Sequence, residues 1–321
     1  MSINKIKIGI VMDPIGSISP KKDSSLAMLL EAEKRQYEIY YMEQKDLYLI
    51  KGIAKANSLI INVKDDDKSW YDIQKKITIN LGDLDVILMR KDPPFDMEFI
   101  YTTYILERAE DQGALVINKP NSLRDMNEKV YTAWFPDYAP LTLVTRSMTE
   151  MKSFLNEHKK VVIKPLDGMG GRSIFVVNHD DGNANVIIET LTDHGSRFAM
   201  SQVYVPEIKQ GDKRILLIDG EPVPYSLARI PSADDNRGNI VMGATVEGRN
   251  LTEQDNIICK KIGPILKEKG VLFCGIDVIG DYLTEINSTS PTGIRELDRF
   301  FNLNIAGLLF DAIENKIIKL E

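Results

Sequence analysis

At 321 residues the chain exceeds one average domain, and its 43% hydrophobic and 27% charged content is that of an ordinary globular protein. Its formal charge of −7 argues against general nucleic-acid binding, which needs a basic face, but leaves room for a local basic pocket that holds phosphates. Two cysteines, Cys259 and Cys274, cannot build a disulfide framework, Met1 to Met12 has no secretory apolar segment, and no window approaches ~18 uninterrupted apolar residues, so a cytoplasmic protein without membrane contact is expected.

Lys5 to Met12 is predicted as a buried strand that ends at Asp13-Pro14. Asp23 or Ser24 can cap the next helix, which carries Leu26, Leu29, Leu30 and Ala32 on one face. Glu38 to Met42 is a second strand, and Asp85 to Arg90 another, followed by a helix from about Asp96 to Gln112 and a strand from Ala114 to Asn118. Leu47 to Lys64, between them, reads as irregular or antiparallel excursions without a definable register. The alternation implies a parallel or mostly parallel sheet.

The pattern changes near Lys119-Pro120. Ser122-Leu123-Arg124-Asp125 resembles a capping box with Asp in place of Glu, which predicts a helix running to about Phe135. Shorter strands and hairpins follow, so the remainder reads as α+β. Pro231 to Arg249 is rich in Gly, Asn, Asp and Arg and reads as a mobile loop.

Three segments carry chemistry. Val161-Val162-Ile163-Lys164-Pro165 is a strand that delivers a lysine from an apolar run, and that ammonium must reach either water or a fixed anion. Next comes Leu166-Asp167-Gly168-Met169-Gly170-Gly171-Arg172-Ser173. Its three glycines can turn backbone N–H groups onto a phosphate, or simply form a turn between strands; no Walker lysine closes it. Last, Phe273 to Asn287 reads as a hairpin turning at Gly280-Asp281, with Glu285 and Asn287 on one face. Asp277 reaches that face only across an odd loop or a bulge, and the three would then offer oxygen ligands suited to Mg²⁺. The alternative is a solvated outer face. Asp212-Lys213-Arg214 and Arg229 could neutralise phosphate, and Arg90 ends its strand where open α/β sheets bind ligands. His158, His179 and His194 lack ligand spacing, and no Ser/His/Asp or Cys/His set is present.

Asn127-Glu128-Lys129, Val162-Ile163-Lys164-Pro165, Asp167 to Gly171, Asp212-Lys213-Arg214 and Asp277…Glu285-Ile286-Asn287, in that order and spacing, resemble the ATP-grasp superfamily. Ile10 to Pro14, Leu88 to Asp96, Gly220 to Tyr225 and Asn287 to Pro291 resemble more narrowly its bacterial glutathione synthetase family. The resemblance implies a Rossmann-like pre-ATP-grasp domain over residues 1–124. A two-subdomain ATP-grasp region would follow over 125–321, split into 125–201 and 202–321, with a lid at 231–249.

It implies further that Lys129 and Lys164 contact ATP phosphates, that Gly168, Gly170, Gly171 and Asp212 border the nucleotide, and that Gln202-Val203-Tyr204-Val205 meets adenine. Asp277, Glu285 and Asn287 would hold Mg²⁺, or Mn²⁺ in its place. Arg214 and Arg229 would stabilise the transferred phosphoryl group, while Arg90 and Ser290 would hold the acceptor dipeptide. The implied reaction joins γ-glutamylcysteine and glycine through an acyl phosphate, with ATP as co-substrate, in a homotetramer. One departure stands out: where the family has a glycine pair followed by a basic residue in the lid, this chain reads Gly243-Ala244-Thr245-Val246-Glu247. Another ATP-grasp peptide ligase (D-Ala–D-Ala-like or glutamate-adding) and a non-catalytic nucleotide-binding regulator are the competing readings. A dinucleotide oxidoreductase lacks its fingerprint, because Asp13-Pro14-Ile15-Gly16 contains no GxGxxG.

Overall fold

The computed structural model describes residues 5–168, 170–231 and 245–318. In the N-terminal part, strands β1 (Lys7–Met12), β2 (Glu38–Met42), β3 (Leu47–Ile50), β4 (Ile53–Val63), β5 (Tyr71–Asn80), β6 (Val86–Arg90) and β7 (Leu115–Ile117) form one sheet. β2, β1, β6 and β7 run parallel, as the strand–helix alternation requires. Helices α1 (Ser24–Lys34) and α2 (Met97–Asp111) cover its two faces. Along β1, Ile8, Ile10 and Met12 join the core beneath α1, and Val11 joins the one beneath α2. That two-sided burial explains the unbroken apolar run of the strand. Asp23 and Asp96 cap the two helices through Leu26 N and Phe99 N.

The segment without a predicted register is antiparallel: β4 pairs with β2, β3 and β5. β5 was not anticipated, because its residues are mostly exposed and Lys75-Lys76 interrupts the alternation of apolar residues. The helix expected from Ser122 to Phe135 is a correction. Helix α3 (Pro120–Asp125) begins earlier, with Pro120 in its first turn, and Ser122 lies inside it and donates to Lys269 O. It ends because Asn127 Oδ1 accepts from Lys129 N (3.1 Å) and Val130 N (3.0 Å), and a 3₁₀ segment, Val130–Trp134, follows.

The rest of the chain builds two antiparallel sheets. Strands β8 (Thr142–Thr145), β9 (Lys160–Pro165), β10 (Phe175–Asn178) and β11 (Ala199–Val203) are ordered β10-β9-β11-β8, backed by α4 (Met148–His158) and α5 (Ala184–Thr192). Strands β12 (Asp212–Ile218), β13 (Glu221–Ile230), β14 (Thr245–Asn250), β15 (Phe273–Ile279) and β16 (Tyr282–Asn287) are ordered β14-β13-β12-β15-β16, backed by α6 (Glu253–Glu268). Helices α7 (Ile294–Phe301) and α8 (Ile305–Ile317) return to the first sheet, where Phe310 and Ile313 join the core of α1. The α/β plus α+β expectation therefore holds.

Of the loop expected over Pro231 to Arg249, residues 232–244 lie outside the described residues. Thr245 to Arg249 are strand rather than loop, because they pair with Ile230 to Ser226 of β13. No helix among the described residues is long and apolar enough to cross a membrane.

Candidate active site

Period-two alternation sets the walls of a cleft enclosing about 1150 Å³, open to solvent, between the second and third sheets. On β9, Val161 and Ile163 face α4 and α5, which turns Val162 and Lys164 to the cleft beside Gln202 of β11. Lys164 is buried and its Nζ lies 3.4 Å from Thr284 O. Burial lowers its pKa to about 8, against the opposing pull of Glu285.

The glycine segment is the turn that joins β9 to β10, and it borders the cleft. Gly170 (φ +67°) and Gly171 (φ +75°) take the left-handed backbone that side chains disfavour, and both line the cleft. Met169 lies outside the described residues. Lys129 donates to Gly168 O at 2.5 Å and pairs with Glu285 Oε1 at 2.9 Å. Burial alone would depress its pKa, but Glu285 reverses the sign and raises it. Val203, Tyr204 and Val205 complete this end of the wall, with the Lys160 ammonium 4.0 Å above the Tyr204 ring.

The β15–β16 hairpin settles the parity question. Its turn has two residues, with Ile279 opposite Tyr282, but the register shifts so that Val278 faces Leu283 while Asp277 faces Glu285. The extra residue is Thr284, whose Oγ1 donates to Asp277 O at 3.1 Å. The bulge brings Asp277, Glu285 and Asn287 to one face, while Ile276, Val278, Leu283 and Ile286 pack in the core beneath α6. Two carboxylates and an amide oxygen make a hard, all-oxygen donor set suited to a divalent cation. Among the described residues, no group of three His, Cys, Asp or Glu side chains could hold a metal ion.

β12 lies beside β15 with Arg214 opposite Asp277, and beside β13 with Asp212 opposite Arg229. Asp277, 3% exposed, accepts from Arg214 Nε at 2.5 Å and Nη2 at 2.8 Å, and pairs with Arg229 Nη2 at 2.9 Å. Asn287 Nδ2 adds a fourth contact at 3.3 Å. Burial would raise the Asp277 pKa, but the two guanidiniums hold it well below the carboxylate range. Asp212 responds oppositely: desolvation pushes it up to about 7 even with Arg229 bonded to Oδ2, and its buried Oδ1 has no partner among the described residues. Lys213 points to the other face, where it pairs with Asp255 of α6 at 2.5 Å. A Cβ on Gly275 would sit 2.6 Å from Arg214 Cδ, so only glycine leaves room for this guanidinium.

Beyond the cleft, at the end of β6, Arg90 is buried. Nε donates to Ser25 Oγ (3.1 Å) and Nη2 to Pro291 O (2.9 Å), while Nη1 has no partner among the described residues. Burial lowers its pKa to about 10. Ser290 Oγ donates to Arg90 O at 3.1 Å, so the two predicted acceptor residues stand together. Asp92 and the Lys91–Asp13 pair flank them. Asn118 ties the first sheet to the third, donating to Phe273 O and Ser288 O at 2.7 Å each.

The structure thus gathers Lys129, Lys164, the glycines, Gln202 to Val205, Asp212, Arg214, Arg229 and the acidic trio around one cleft. Arg90 and Ser290 lie beyond it, where the end of β6 meets Ser290 and Pro291, three and four residues past Asn287. Sequence reading gave no role to Glu128, which also lines the cleft and accepts from Thr289 N (3.0 Å) and Oγ1 (2.8 Å). Its only signal was its place inside Asn127-Glu128-Lys129. Asp13, Lys91 and Asp92 were likewise legible only as parts of N-terminal segments.

Comparison with known proteins adds to this geometry. The prokaryotic glutathione synthetase N-terminal domain model matches residues 6–124, and the ATP-grasp domain model of the same family matches residues 128–302. A glutathione synthetase from Vibrio parahaemolyticus is 58% identical over 97% of this chain and 99% of its own length. One from Escherichia coli is 59% identical over the same shares. Among solved structures, the D-alanyl-alanine synthetase A of Vibrio cholerae shares the fold, with a TM-score of 0.63 at 14% identity, covering 99% of this chain and 100% of that one.

Proposed function

The chain belongs to the prokaryotic glutathione synthetase family, and from that premise we propose how its residues divide the work of an ATP-dependent ligase. The reaction is ATP + γ-glutamylcysteine + glycine → glutathione + ADP + phosphate. A carboxylate is a poor electrophile at neutral pH; phosphorylation converts it to an acyl phosphate that an amine can attack. The protein's task is to position the reactants and neutralise charge, with no nucleophile of its own.

Lys129 and Lys164 hold the ATP phosphates beneath Gly168, Gly170 and Gly171, the Gln202–Val205 segment borders adenine, and Asp212 closes the nucleotide side. Arg214 and Arg229 neutralise the phosphoryl group in transfer, and Arg90 with Ser290 holds γ-glutamylcysteine. Asp277, Glu285 and Asn287 would hold Mg²⁺, with Mn²⁺ as a substitute, which when bound offsets the phosphate charge. The observation that carries this reading is the bulge at Thr284, which sets Asp277 opposite Glu285 and beside the two arginines. Assembly as a homotetramer extends the same family reading, and gel filtration with light scattering tests it.

Glu285→Ala and Asn287→Ala are expected to lower turnover by about 10²-fold, the loss typical of a comparable electrostatic group, and to raise the magnesium requirement. Near-normal activity at low magnesium in either variant would overturn the ligand assignment. A panel of carboxylate–amine pairs, read by phosphate release, separates this reaction from D-alanine or glutamate ligation.

A further inference from the structure

Glycine's amine is an ammonium at neutral pH and must lose a proton before it can attack. Around the cleft, Lys129, Lys164, Arg214 and Arg229 are cations, and Arg90 is a cation at its acceptor end. Asp277 is engaged by two guanidiniums, Glu285 pairs with Lys129, and Asp212 is bonded to Arg229. Asp23, Asp92 and Glu128 are the carboxylates facing Arg90 at the acceptor end, and Asp23 is taken up in capping α1 through Leu26 N. Of these, only Glu128 lines the nucleotide cleft. It also lines a smaller adjoining hollow of about 260 Å³ bounded by Pro93, Phe95 and Asp167.

Its placement decides the assignment. The backbone oxygen of Glu128 accepts from Ile286 N at 2.8 Å, which ties it to the strand carrying Glu285 and Asn287. Its Oε1 accepts from Thr289 N and Oγ1, one residue before the pair that contacts Arg90. The carboxylate therefore stands between the phosphate end and the acceptor end of the site, where the acyl carbon must lie during transfer. Two hydrogen bonds to one oxygen fix its orientation.

We propose that Glu128 is the base that takes a proton from the ammonium of the incoming glycine, an assignment that rests on the acyl-phosphate reading above. The proton moves from nitrogen to the Glu128 carboxylate, and the freed lone pair forms the C–N bond to the acyl carbon. The C–O bond to phosphate then breaks with its electron pair on oxygen. The second nitrogen-bound proton goes to the departing phosphate, and Glu128 returns its own to water. The charged groups facing it are Lys129 beside it, Glu285 of β16 and Arg90 of β6.

Glu128→Gln keeps an oxygen for Thr289 but cannot accept the proton. Hydroxylamine, largely unprotonated at neutral pH, attacks acyl phosphates without a base. At pH 7 the variant is expected to lose about 10²-fold or more of its glycine-dependent rate. It should keep hydroxamate formation from γ-glutamylcysteine, ATP and hydroxylamine, with both KM values within about twofold of the parent. Its glycine rate should climb up to about tenfold per pH unit as the amine deprotonates unaided. Equal losses with glycine and hydroxylamine would reduce Glu128 to a support for the Thr289 loop and overturn the proposal, as would an undiminished glycine rate. Absence of hydroxamate from the parent enzyme would instead overturn the acyl-phosphate reading itself. If Glu128→Gln does not fold, Glu128→Asp should retain the parent's pH profile at reduced rate; the profile of an unaided amine would overturn the assignment.

Discussion

Asp277→Asn tests the electrostatic centre of the site. The carboxylate is 3% exposed and answers three guanidinium N–H contacts at 2.5, 2.8 and 2.9 Å. Asparagine keeps the shape and one acceptor oxygen but removes the charge and turns an NH₂ toward a guanidinium. Removing one partner of a buried ion pair costs about 3–5 kcal/mol, because the other charge stays buried without compensation. The retained oxygen and the nearby Asp212 place the expected loss at the lower end, about 3 kcal/mol. Urea unfolding followed by circular dichroism should show it as a lower midpoint with an unchanged slope.

Phosphate or metal-free ADP should restore part of that loss in the variant by supplying anionic oxygens to Arg214 and Arg229. Turnover, read as ADP release, should fall by about 10²–10³-fold. The pH dependence has a definite sign. The folded pKa of Asp277 is depressed, so its contribution is fully present above the unfolded value of about 3.9 and is lost as pH falls through the lower folded value. The stability gap between parent and variant should therefore be constant at neutral pH and shrink in acid. A variant with the parent's midpoint and less than tenfold loss of turnover would refute the view that these arginines depend on Asp277.

Lys164, with a pKa of about 8, is protonated below that pH and is best able to hold phosphate there; ATP affinity measured by calorimetry should weaken above pH 8, by up to about tenfold per unit, and Lys164→Arg should flatten the decline. Deleting Thr284 removes the extra residue and leaves Asp277 opposite Glu285 in a regular ladder, so the trio should keep one face and ADP release should persist, slowed by loss of the Thr284 contacts to Asp277 O and Lys164. Abolished ADP release in a folded deletion variant would show that shared face and register alone do not place the trio. Cys259 and Cys274 are 0% and 1% exposed, and burial pushes the Cys259 thiol up to about 12, so iodoacetamide at pH 7.5 should neither label nor inactivate the native protein.

Much of this architecture was legible in the chain because it depends on local rules. The apolar runs of β1 and β6 marked strands buried on two faces, and Asp23 and Asp96 marked helix starts. The reading failed where distant partners overrode local preference. Ser122 resembles a cap but bonds Lys269, 147 residues away, and β5 exists through its pairing with β4 rather than through any pattern of its own. Thr245 to Arg249 became strand because β13 offers an edge.

The sequence by itself determined which side chains could share a face: Glu285 with Asn287, Val162 with Lys164, Asp212 with Arg214. Only the tertiary structure decided what those faces meet. One extra residue at Thr284 inverts the parity of a two-residue hairpin, and no local preference announces it. The pairing of β12 with β15 then sets Arg214 against Asp277, 63 residues apart in sequence. Glu128 gains its place in the same way, through hydrogen bonds to Thr289, 161 residues away. A period of two fixes direction, but the low-dielectric cluster of opposed charges forms only when separate sheets close on one cleft.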